Sequence, residues 1–196
     1  MDVDQRACRD ALDKALSDSG LSQNAFAVAL GTSASRLSTY RSGKVSPSAT
    51  LFLRALRIAQ ALRGARRSGW MTAPRTAETV AAAVARGQEM HAFKLVLQGR
   101  DHLRALLTSR PNLAAAWAAA PRSTGDRRWD ALLAALAAHE FEALGLATPA
   151  WTDRPALPQP WILDSPRLTE DEIRERTPAW LAARNIYVNP RDLVTL

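Results

Sequence analysis

Cysteine is almost missing from this chain: Cys8 stands alone among 196 residues. A single thiol forms no internal disulfide, so the fold must rest on packing and the expected compartment is reducing. Cys8 reads as a small helix residue, since no catalytic context surrounds it. Long apolar runs are missing as well. None approaches the ~18 residues that a membrane span needs. The opening MDVDQRACRD has no apolar signal region, so a cytoplasmic location is expected. Histidine is scarce, and its spacing is unhelpful to a metal. His91 and His102 would lie ~16 Å apart on one helix face. His139 neighbours Glu140 without an HExxH pattern. There is no phosphate-cradling loop and no dinucleotide glycine pattern, and nothing places Ser, His and Asp together. The expectation is a protein with no catalytic residue, no metal and no cofactor.

The most informative absence is of negative charge. No acid occurs between Ser19 and Ala77, a stretch that carries nine Lys or Arg residues. Residues 1–69 hold 11 basic and 5 acidic side chains, a balance of +6, whereas residues 70–196 hold 15 and 14. A basic stretch without acids is the footprint of a phosphate-binding surface, or else a solvated basic face. Alanine is abundant and β-branched runs are few, which favours helix because Ala loses no side-chain entropy there.

Punctuation divides the chain. The segment 64–69, GARRSG, has glycine at both ends and no apolar periodicity, so it reads as a linker. Beyond it, helices are expected over 75–86, 89–109, 112–120 and 128–144. The second of these places Met90, Phe93, Val96 or Leu97, Leu103, Leu106 and Leu107 on one face. Then Pro149, Pro155, Pro158, Pro160 and Pro166 forbid continuous helix, which predicts an extended segment. Thr169-Glu170-Asp171-Glu172 matches a capping box, and Pro178 can open another helical turn. The expected architecture is all-α. An N-terminal helix-turn-helix DNA-binding domain spans 1–66. A helical domain for dimerisation or partner binding spans 74–196, with 149–196 as its extended proline-rich tail.

The reading of the first part rests on caps. Ser22 can cap a helix over 23–30 whose inward positions are Phe26, Ala27 and Leu30. Gly31 supplies a turn with positive φ. Thr32 can cap a second helix over 33–42, with Leu37 and Tyr40 facing the core. Ser33, Ser35, Arg36, Thr39 and Ser42 face outward, short and polar enough to approach DNA. Gly43 ends that helix, Lys44 follows, and Ser46 can cap a third beginning at Pro47. In this geometry Gln23, Arg41, Ser42 and Lys44 would hold phosphates, and Ser35, Arg36 and Thr39 would read base edges. Arg36 has the bidentate fork for guanine but could equally reach a phosphate. Gln23 could instead be a structural residue at its helix terminus.

The run GLSQNAFAVALGTSASRLSTYRSGKVSPS resembles the Cro/repressor (Xre) family of transcriptional regulators over about a quarter of the chain. The resemblance implies a DNA-binding function. It puts Gln23 at the family's phosphate-clamping position and Ala34, Ser35 and Thr39 at its base-contacting positions. Where many members carry an acid late in the second helix, this chain has Arg41. FKLVLQGRDHLRALL, TGDRRWDALLAALAAHEFEALGLATPAWT and RTPAWLAARNIYVNPRDL resemble an actinobacterial-type C-terminal region fused to such domains. That resemblance implies an antitoxin-like repressor encoded beside a toxin, a nucleotidyltransferase type being one candidate. The alternative is a stand-alone repressor whose C-terminal domain dimerises or senses a ligand.

All six Trp residues lie at or after residue 70. Trp is enriched both in cores and in interface hot spots. Trp117 and Trp129 read as core, and Trp70 could pin the two domains together. Trp151, Trp161, Trp180, Ile186 and Tyr187 in the tail could either seal their own bundle or anchor a protein toxin. The expected partners are double-stranded operator DNA and a second copy of the chain, with that toxin as a further candidate and no membrane.

Overall fold

The computed structural model describes residues 3–194, and they are mostly helical. Among the described residues ten α-helices are formed: α1 (Val3–Ser19), α2 (Gln23–Leu30), α3 (Ala34–Arg41), α4 (Ala49–Arg67), α5 (Ala73–Val84), α6 (Glu89–Ser109), α7 (Pro111–Ala114), α8 (Arg127–Glu142), α9 (Glu170–Arg176) and α10 (Ala179–Ala182). Two short strands, β1 (Trp161–Ile162) and β2 (Ile186–Tyr187), pair in parallel with Trp161 opposite Ile186. The chain divides into two compact units, 3–75 with 105–122 and 76–104 with 123–194.

The first unit is built on α1 packed along α4, with α2 and α3 against them. Its core gathers Leu12, Phe26, Leu30, Leu37, Ile58 and Leu62, all almost fully buried. Ala116 and Ala119, from the 3-10 turn Ala115–Ala118 and the residue after it, complete that core. Segment 64–69 is not the linker its composition suggested. Helix α4 runs on to Arg67, and a Cβ at Gly64 would meet Leu113 Cδ2 at 2.5 Å. Glycine is there because α7 lies close against α4, so a residue that reads as a helix breaker is a packing residue. Trp70 packs against this same core, and Trp117 Nε1 donates to the Met71 carbonyl at 3.1 Å.

In the second unit, α8 is buried from Trp129 to Ala138 without a break. A stretch covered on every side has no solvent face and must sit inside its unit, and Asp130 is its one charged member. On α6 Phe93, Val96, Leu97 and Leu103 are buried as expected, but Met90 is 61% exposed and lies outside the apolar stripe. The proline-rich segment begins with the 3-10 turn Ala150–Thr152 and is then sewn onto later residues. Leu157 N donates to Arg184 O, Trp161 N to Asn185 O and Leu163 N to Tyr187 O. Proline cannot donate, so these few non-proline amides carry the pairing. The parallel arrangement needs a crossover, and α9 and α10 supply it. Thr169 and Glu172 form the capping box read from the sequence, and Pro178 stands at the N-terminal boundary of α10.

Candidate nucleic-acid interface

Helices α2 and α3 are held by local chemistry. Ser22 is extended, and its hydroxyl accepts from Ala25 N at 3.2 Å. At the other end Gly31 has φ 72°, with Gly31 N donating to Val28 O and Thr32 N to Ala27 O. That paired closure needs a left-handed residue, which glycine supplies at little cost. It also engages Thr32, so the cap of α3 falls one residue later than expected. Ser33 Oγ accepts from Arg36 N at 3.1 Å. The next cap likewise shifts from Ser46 to Ser48, which accepts from Leu51 N.

Leu37 is fully buried beneath α3, and Tyr40 and Ala34 pack partly against the same core. The outer face carries Ser35, Arg36 and Ser38, all exposed, with Lys44 exposed beyond the helix end. Among the described residues neither the Arg36 guanidinium nor the Lys44 amine is held by a hydrogen bond or an ion pair. Several of the hydroxyls assigned to DNA serve the backbone. Besides the Ser33 cap, Thr39 Oγ1 donates to Ser35 O and Ser42 Oγ to Thr39 O.

Arg41 is placed otherwise than its assignment to phosphate suggested. Its Nε donates to Asp13 Oδ1 on α1 at 2.5 Å, and its Nη1 donates to Gln23 Oε1. Gln23 Nε2 in turn donates to Ala34 O at 3.4 Å. The sequence reading missed Asp13, because 28 residues separate it from Arg41. Asp10 of α1 is likewise paired, with Arg9. Asp18 pairs with Lys14 and Arg63, and the hydrogen bond from Lys14 holds its carboxyl below the usual range. Cys8, half-buried in α1, has its thiol pushed up by burial. It packs against the core, in keeping with a structural role.

The tail residues assigned to a protein partner are brought to the core of the second unit in two cases out of five. Ile186 is fully buried in β2. Trp161 is 8% exposed, edge-on to Trp129 at 5.1 Å with the Arg128 guanidinium over its ring. Neither is an available anchor. The other three are half-buried: Trp151, Trp180 stacked on His139 at 4.1 Å, and Tyr187 beneath Arg174. A carboxylate at Asp130 ties down the turn before α8, accepting from Ser123 Oγ, Thr124 N and Thr124 Oγ1. Glu140 receives a bidentate contact from Arg104, at 2.7 and 2.8 Å.

Among the described residues no group of three or more His, Cys, Asp or Glu could hold a metal ion, and no helix is long and apolar enough to cross a membrane. No family model matches the chain, and comparison with curated proteins and with solved structures returns no match.

Proposed function

We propose that the chain binds duplex DNA through α3 and acts as a sequence-specific transcriptional regulator, a repressor in the simplest case. The observation that carries this reading is an α3 seated on its core by Leu37, whose opposite face presents Ser35, Arg36 and Ser38. It belongs to a stretch with nine basic residues and no acid. A short helix joined to its predecessor by a tight turn, with small polar residues and one arginine outward, fits a major groove. In this reading Lys44 and the Gln23 amide hold phosphates, Ser35 and Arg36 face base edges, and Thr39, Ser42 and Ala34 shape the approach. One such unit spans only a few base pairs, so a homodimer on a two-fold site is part of the proposal.

Burial of Trp161 and Ile186 supports the stand-alone regulator over the antitoxin form, because two of the anchors a toxin would grip already serve their own unit. The deciding experiment measures affinity for duplex DNA against salt. Each phosphate contact contributes about −0.9 to the slope of log K against log salt. A steep slope that flattens in Arg36→Ala plus Lys44→Ala carries the reading. A flat slope, or unchanged affinity in that double variant, overturns it.

A further inference from the structure

The Asp13–Arg41–Gln23 chain of contacts has a consequence for how an anion can be met. A glutamine amide offers an oxygen that accepts and an NH2 group that donates twice. Here Oε1 of Gln23 is taken by the Arg41 guanidinium. The NH2 group is left pointing away from Arg41, with only a 3.4 Å contact to Ala34 O. Arg41 cannot swing off easily, because Asp13 holds its Nε at 2.5 Å. A phosphate accepts and never donates, so an amide turned the other way would meet it oxygen to oxygen.

We infer that Asp13 is a positioning residue for phosphate contact: acting through Arg41, it fixes the Gln23 amide with Oε1 on Arg41 and its NH2 group at the start of α3, one hydrogen on Ala34 O and the second left for an anion. The inference rests on the DNA-binding reading and adds a residue outside the α2–α3 pair to it. Arg41 is then a strut, and its positive charge is balanced by Asp13 and not by a phosphate.

The test is a double-mutant cycle on the full chain. The probe is a duplex of about 20 base pairs selected from a random pool by the wild type. Asp13→Asn removes the charge that holds Arg41, and Gln23→Met removes the amide. Each is expected to weaken binding about tenfold, the scale of one oriented hydrogen bond to an anion. Together they are expected to lose no more than Gln23→Met alone, since Asp13 works only through that amide. The salt slope should stay at its wild-type value, because neither change removes a cation from a phosphate. Losses that add would mean Asp13 acts through general stability, and would overturn the inference. So would unchanged affinity in Asp13→Asn, or tighter binding with a steeper slope, which would make Arg41 a phosphate ligand held in check. A wild type that selects no duplex overturns the DNA reading itself, a result distinct from any of these.

Discussion

Among the described residues the side chains of Arg36 on α3 and Lys44 just beyond it have no hydrogen bond or ion pair, and they differ in what they can do. Arginine's planar fork matches two acceptors at once, whereas lysine is a point charge. Arg36→Ala should therefore cost roughly 1–3 kcal/mol and relax preference at one base pair, and Lys44→Ala should weaken all sequences alike. Competition binding over a panel of single-base variants separates the two. Equal loss on every duplex for both would sink the distinction. A second residue-scale outcome concerns pH. Burial holds the His102 imidazole below its ordinary 6.5, against the opposing pull of the Asp101 carboxylate. A depressed value in the folded state favours the neutral ring. Its stabilisation is full above 6.5 and is lost as pH falls through the lower folded value. Thermal denaturation should show a lower Tm at about pH 5.5 than at about pH 7, and His102→Gln should shrink that difference. A wild-type Tm flat over that window would contradict it.

Among the elements, helices with local signals were legible in the sequence. The Ser22 cap, the Gly31 turn and the Thr169–Glu172 box are chemistry between residues three apart, so each could be read without knowing the fold. Caps one or two residues off, at Ser33 and Ser48, came from runs with several serines to choose between. The β1–β2 pair was invisible, because two-residue strands carry no periodicity and their partner lies beyond two helices. Glycines with a packing purpose were equally silent. A Cβ at Gly99, inside α6, would meet Thr76 Oγ1 and Cγ2 at 2.6 Å. Thr76 is fully buried and β-branched, with no room to give way. Gly99→Ala is therefore expected to destabilise by about 1–3 kcal/mol, outweighing the ~1 kcal/mol that Ala gains over Gly in a helix. Urea denaturation decides it, and a neutral or stabilising Gly99→Ala would show that the helices part without cost.

For the whole molecule, the tail is the sharper case. Proline spacing correctly forbade a long helix after 149, yet it could not say where the segment lies. Removing 169–196 strips out Ile173, Leu181, Ile186 and Val188, all buried. At about 1.5–3 kcal/mol each this rivals the whole stability of a small domain, typically 5–15 kcal/mol. The fragment ending at 168 should thus lose the cooperative unfolding of the second unit while keeping that of the first, by calorimetry or hydrogen exchange. A fragment with both transitions intact would restore the tail to the role of a detachable partner arm. The first unit carries a different consequence, one of timing. Its core is closed by Ala116 and Ala119, far along the chain from Leu12. Ribosomes emit about 5–20 residues per second and early domains generally fold as they emerge. Here α2 and α3 leave the tunnel early, but the core beneath them stays open until the segment 105–122 follows. A nascent chain stalled anywhere before it carries α2 and α3 on an unfinished base, a natural substrate for chaperones and proteases.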